Sequence, residues 1–229
     1  YLHSFPTLRS SDLREILVTM VGGMLLALLF NRMTRSFGLM RAFVFVPKYV
    51  AMSSAAVVFL WILNTDSGVL NYLLQCIGLP AVDWLNQQST ALPSVLMLTG
   101  WRVIGYGMMI YLSAMMGISQ EYYEAASLDG ANGVQKFFRI TLPLLSPTTL
   151  FLLVTTFLSS MKVFQSVDIL TSGGPARSTE VFVYLIYRYA MVDFRMDRAA
   201  TAAVMFFLIL LVITVLTMKV SDRSVTYDS

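Results

Sequence analysis

Charge is what this sequence most lacks. Of 229 residues only 13% are Asp, Glu, Lys or Arg, while 57% are hydrophobic; an ordinary soluble domain carries about a quarter charged residues. The formal net charge of +3 gives no electrostatic case for a nucleic-acid partner. One cysteine, Cys76, excludes an internal disulfide and a cysteine-built zinc cage. The single histidine, His3, stands near the start and leaves the apolar body of the chain without an imidazole base. No Gly-x-x-x-x-Gly-Lys-Ser/Thr loop is present to cradle nucleotide phosphates. The alternating pattern of a membrane β-barrel is missing as well, so backbone crossing a bilayer must satisfy its own hydrogen bonds as helix. The 15 methionines show no cluster with His or Cys at ligand spacing and read as packing residues.

What is present is a series of apolar runs, predicting an all-α integral membrane protein with five spans at 16–31, 42–63, 92–117, 143–161 and 199–218. The first run is shorter than the roughly twenty residues a span needs, which fits a sixth, N-terminal span missing from the chain. Residues 1–13 lack both an apolar run and the ordered features of a signal peptide. They read as a leader foreign to the fold or a disordered tail, leaving 14–220 as the membrane domain and 221–229 as a terminal tail. Pro47 and Lys48 fall near the start of the second run, where a lysine can snorkel to the headgroups.

The loop at 64–91 holds Asp66 and Asp83 but no Lys or Arg. Within it Val69, Leu70, Leu73, Leu74 and Ile77 recur at helical spacing, with Asn71 and Gln75 on the other face, so a helix lying in the membrane interface is expected. Trp84 is placed to anchor that interface. Later, Ser172-Gly-Gly-Pro175 signals a turn, and 181–191 is rich in Tyr suited to headgroup level. Orientation follows from basic residues. Arg32, Arg35 and Arg41, then Lys136 and Arg139, then Lys219 and Arg223 fall on one face, which is therefore cytoplasmic; Arg177, Arg188 and Arg195 on the other face weaken the rule.

The most polar long segment, Glu121-Tyr-Tyr-Glu-Ala-Ala-Ser-Leu-Asp-Gly-Ala-Asn-Gly133, lies between the third and fourth runs. Ser119 can cap a short helix and Glu121 sits in its first turn, favourable against the helix dipole. Glu121, Glu124 and Leu128 share one face. Ala125 and Ala126 leave a low surface that another protein can approach, and Asp129-Gly130 ends the helix through a left-handed cap. From these residues alone, a solvated connector with ordinary caps is an equal reading.

Glu124-Ala125-Ala126, Asp129-Gly130-Ala131, Phe138, Ile140, Leu142-Pro143 and Pro147 resemble the "EAA" loop of ABC importer permeases, in the form typical of the carbohydrate-importing branch. Asn31-Arg32, Gly68-Val-Leu-Asn71, Trp101-Arg102 and Thr171-Ser-Gly-Gly-Pro175 with Ser178-Thr-Glu are similar to the same family, and Ser-Gly-Gly-Pro to its maltose-type first permease subunit. The resemblance covers 14–220. It implies a non-enzymatic permease in a bacterial or archaeal cytoplasmic membrane, paired with a second permease subunit. Two cytoplasmic ATP-binding subunits and an extracytoplasmic solute-binding protein would complete the assembly, with a sugar as substrate and no cofactor. It further implies that Glu121, Glu124, Ala125, Ala126, Asp129 and Gly130 form the coupling helix gripped by an ATPase, with Glu124 the charged contact.

A sugar path needs polar groups and aromatic faces inside the membrane. Tyr106, Thr156, Ser159 and Ser160 flank the EAA segment where similar permeases line their site; hydrogen bonding between helices is the competing role for the hydroxyls. Arg102 and Lys162 fall toward the outer side as interface anchors, or as phosphate ligands if the substrate is glycerol-3-phosphate or another phosphorylated polyol. A membrane enzyme is the distant alternative, since Asp168 and Asp193 have no His or Cys partner nearby in sequence.

Overall fold

Helix α5, Gln88–Met116, is the post around which the bundle is built. Its 29 residues rise about 1.5 Å each, roughly 43 Å in all, more than a hydrocarbon core requires. The computed structural model describes the backbone of residues 15–31 and 35–224, and the side chains of 15–31 and 38–215. The leader 1–13, Arg32, the end of the tail, and the side chains of Arg35, Lys219 and Arg223 lie outside the described residues.

Before the post come α1, Glu15–Leu29; α2, Arg35–Phe45, tightening into a 3₁₀ turn over Val46–Tyr49; α3, Met52–Ile62; and α4, Val69–Cys76. After it come α6, Gln120–Leu128; α7, Gly133–Leu144, and α8, Ser146–Ser160; α9, Gln165–Thr171; α10, Phe182–Val192; and α11, Met196–Ser224. No strand occurs among the described residues, as the all-α expectation requires.

Among the described residues, two helices, α5 and the stretch Met196–Val215 of α11, are long and apolar enough to cross a membrane unaided. The run expected at 42–63 is instead a broken pair, meeting at 102°. Pro47 supplies no N–H and draws the chain into the 3₁₀ turn, after which Val50 and Ala51 take extended dihedrals before α3 begins. The run expected at 143–161 is α8 alone, entered through α7 at a 62° bend. Pro143 and Pro147 each remove a helical donor there. The backbone opens into a wide turn over Phe137–Thr141 and bends at the buried Leu145. At the far end, the backbone of α11 continues past the expected stop at 218 to Ser224.

The interfacial helix expected near 69–77 is α4, with Val69, Leu73 and Ile77 exposed. Asn71 does face the other way, and that way is inward: it is 1% exposed. Its amide donates to the carbonyls of Thr65 and Val82, both at 2.9 Å. Its oxygen accepts from Val82 N at 3.1 Å and from Trp84 Nε1 at 2.9 Å. Trp84 is therefore bound within the loop and packed on the core rather than set out as a headgroup anchor.

Two apolar clusters hold the bundle. One joins α3, α5 and α9 through Phe59, Leu63, Leu98 and Val167; the other joins α1, α5 and α8 through Ala27, Met108, Tyr111 and Leu152. The tightest packing is of α1 and α2 onto α5, through small residues as in other membrane bundles. A Cβ on Gly23 would stand 2.8 Å from the Gly107 carbonyl carbon, and one on Gly105 would strike the Val44 carbonyl oxygen, backbone that cannot swing aside. Gly105→Val is expected to lower stability by about 2–3 kcal/mol. Gly38→Ala, inside α2 with nothing within 4 Å, should instead hold or raise it by up to about 1 kcal/mol; thermal unfolding of the detergent-purified variants checks both.

Candidate functional site

The polar segment folds as the sequence suggests and more firmly. Ser119 caps α6, its Oγ accepting from Glu121 N at 3.4 Å. At the other end Gly130 takes φ +78. Ala131 N then donates to Ala126 O at 2.9 Å and Gly130 N to Ser127 O at 3.1 Å, the paired bonds of a Schellman cap. Two residues later Asn132 and Gln135 exchange bonds of 2.9 Å in a capping box that starts α7. The turn between α6 and α7 thus leaves little backbone freedom.

Side chains tie the two helices together as well. Tyr123 Oη lies 2.9 Å from Thr141 Oγ1, and Lys136 Nζ donates to Ser127 Oγ at 2.6 Å. What remains free is the outer face. Glu121, Glu124, Ala125, Asp129 and Gly130 are exposed, and Ala126 is half-buried. Leu128 at 91% and Tyr122 at 57% exposure stand out among them.

The residues proposed for a sugar path divide. Tyr106 and Arg102 lie one turn apart on α5 and share a partner. Lys48 Nζ sits 4.7 Å over the Tyr106 ring, while Arg102 Nη2 donates to the Lys48 carbonyl at 3.2 Å. Arg102 stands at the midpoint of α5, not toward its outer end, and Lys48 is carried there with it by the break after Pro47. Thr156 and Ser160 are buried on one face of α8, and Ser159 points out. Ser160 Oγ donates to Phe157 O at 2.9 Å and borders a cavity of about 20 Å³ with Thr99, Val167 and Thr179. That is room for a water molecule, not a sugar ring. Lys162 is exposed beyond α8, and no contact joins it to Arg102.

The Ser-Gly-Gly-Pro turn is closed by Thr179, whose Oγ1 lies 2.7 Å from Thr171 Oγ1 and 2.8 Å from the Gly174 carbonyl oxygen. Gly173 is obligatory, with φ +77 and the Tyr184 ring 2.6 Å from where a Cβ would be. Arg188 pairs with Glu180 at 2.6 Å beside it. Asn71 and Lys48 escaped the sequence reading as interior residues. For Lys48 a signal was present, a lysine directly after proline inside an apolar run; for Asn71 there was none.

The described residues thus form an all-helical bundle of apolar helices that carries a doubly capped polar knuckle. The chain matches, over residues 19–227, the family described as binding-protein-dependent transport system inner membrane component, and it belongs to that family. It is 35% identical over 209 residues to the probable ABC transporter permease protein YurN of Bacillus subtilis (strain 168), covering 90% of this chain and 72% of that one. It is 31% identical to the sn-glycerol-3-phosphate transport system permease protein UgpA of Agrobacterium fabrum, covering 99% and 78%. A crystal structure of a bacterial ABC transporter involved in import of the acidic polysaccharide alginate superposes with TM-score 0.82 at 28% identity, over 93% of this chain and 77% of that chain. The protein is thus a membrane-located permease subunit of a binding-protein-dependent transport system and not itself an enzyme.

If the tie to α7 stiffens the knuckle, Tyr123→Phe should loosen it by about 1 kcal/mol. Amide exchange across α6 would speed up several-fold while that of α5 stays as it was. Unchanged exchange in α6 would mean the bond to Thr141 does not hold the helix.

Proposed function

We propose that this permease imports a sugar or oligosaccharide, with α6 as the cytoplasmic coupling helix through which partner ATPases drive alternating access. A single observation carries the reading: α6 is capped at both ends and tied to α7, yet presents Glu121, Glu124, Ala125 and Leu128 to solvent. A stiff helix with an acidic and apolar outer face can transmit a push; a slack connector cannot. Seated in a cleft of an ATP-binding subunit, it passes closure of the ATPase pair to α5 and α7, the helices it joins. Two ATPases and a second permease subunit would complete the machine, and an extracytoplasmic solute-binding protein would deliver the substrate to the face carrying the Ser-Gly-Gly-Pro turn. A structure of the alginate transporter in complex with a pentasaccharide-bound periplasmic protein supports that arrangement.

The two long helices and the bent pairs α2–α3 and α7–α8 make up to four crossings; α1, one of the shorter apolar helices, is read as the fifth. Basic residues on the α6 side, Lys136 and Arg139 among them, favour its placement in the cytoplasm of a bacterial or archaeal cell. Glycerol-3-phosphate or a polyol is the second reading of the substrate, favoured by the likeness to UgpA. Glu124→Lys should leave insertion intact and reduce ATP-driven uptake about tenfold or more, the equivalent of ~1.4 kcal/mol of docking energy. Uptake assays at matched membrane levels check it, and undiminished transport would contradict the assignment of Glu124.

A further inference from the structure

Pro47 sets a lysine where no lysine is expected. The 3₁₀ turn it starts ends at Tyr49, and the chain then turns through 102°. Lys48 is left facing α5, with Nζ over the Tyr106 ring at 4.7 Å. Arg102 comes in from the neighbouring turn, donating to the Lys48 carbonyl at 3.2 Å and approaching Met52 Sδ at 3.1 Å. The remaining donors of its guanidinium are unspent, and Nε is buried with no hydrogen-bond partner. Arg102 stands at the middle of α5, roughly 20 Å from either end, and Lys48 reaches it from the 3₁₀ turn Val46–Tyr49. On the spanning reading of α5, that position falls well inside the hydrocarbon layer.

The charges near this point do not balance. Neither Lys48 nor Arg102 takes part in an ion pair among the described residues. Of the acidic groups, Glu15 is within electrostatic reach of Lys48. Two cations against one carboxylate leave an excess of positive charge on partly buried side chains beside the Tyr106 ring, an arrangement that membrane proteins keep for function. An anion would remove the excess and give Arg102 a charged acceptor for its free fork of donors.

We propose that Lys48 and Arg102, beside the ring of Tyr106, form an anion-recognition site on the transport path, selecting solutes that carry a phosphate monoester or a carboxylate over neutral sugars and polyols. This rests on the importer reading above and narrows its substrate class. Lys162, the other cation offered by the sequence, is not part of it. The bland reading is that Arg102 only caps the carbonyl freed at the helix break. That role needs the Lys48 backbone and not its ammonium, so Lys48→Gln separates the two.

The test is made on the assembled importer, purified with its partner permease and ATPases, in phosphatidylcholine nanodiscs. Calorimetric titration compares sn-glycerol-3-phosphate with glycerol, and glucuronate with glucose. The site predicts that each anion binds about tenfold or more tighter than its neutral counterpart. It also predicts that Lys48→Gln abolishes the preference and that Lys162→Gln leaves it intact. Equal affinity for charged and neutral partners, or a preference that survives Lys48→Gln, would overturn the proposal. So would loss of anion binding when phosphatidylglycerol replaces part of the phosphatidylcholine, which would make a lipid headgroup the occupant. ATPase stimulation by the solute-binding protein is measured on the same samples. If it persists in all of them while the anion preference is absent, the importer reading stands and the anion site alone falls.

Discussion

A peptide carbonyl without a hydrogen bond costs several kcal/mol in an apolar setting, and this chain interrupts its helices repeatedly. Each interruption is met by a side chain or by a tighter turn. Arg41 donates through Nε to the Phe30 carbonyl at 3.0 Å, at the end of α1. Arg102 does the same for Lys48 at the break before α3. Thr19 bonds back to Glu15 O at 2.8 Å where α1 widens, and where α7 bends into α8 the Leu145 carbonyl keeps a backbone partner, Thr149 N at 2.8 Å, with Thr149 Oγ1 added at 2.9 Å. The bends are thus fixed features of the bundle, and they decide which residues reach its interior.

The polar knuckle follows the same rule in the opposite medium. Outside the membrane, water could serve the ends of α6, yet Ser119, the paired bonds around Gly130 and the Asn132–Gln135 box serve them instead. The gain is stiffness. A helix of nine residues is marginal on its own, so its caps and its ties to Thr141 and Lys136 supply what length does not. The bonds consume the polar groups at the ends and on the inner side, and leave carboxylates, an alanine and Leu128 for a partner. In the coupling role proposed for α6, motion imposed on that face would be carried into α5 on one side and α7 on the other.

Local signals in the sequence were enough for the elements whose chemistry is local. The Ser119 cap, the Gly130 terminus, the apolar runs and the exposed stripe of α4 all follow from neighbours in the chain. What could not be read was whatever depends on two distant segments meeting. Asn71 looks like any polar residue on an amphipathic helix until Thr65, Val82 and Trp84 close around it. Lys48 looks like a snorkelling lysine until Pro47 turns it onto α5. Periodicity reports which face a residue is on, and not whether that face meets lipid, protein or water. The hydroxyls of α8 show the same limit: Ser160 and Thr156 share a face, and packing turned that face into the bundle.

The account depends most on α6 lying on the side of the membrane where ATP is made available, opposite the loop that holds α4. Native Cys76, exposed at the end of α4, provides an internal reference. A Leu128→Cys variant in sealed vesicles of both orientations, treated with a membrane-impermeant maleimide, measures this directly. Position 128 should react only in inside-out vesicles and Cys76 only in right-side-out ones. Labelling of both from the same side would contradict the account.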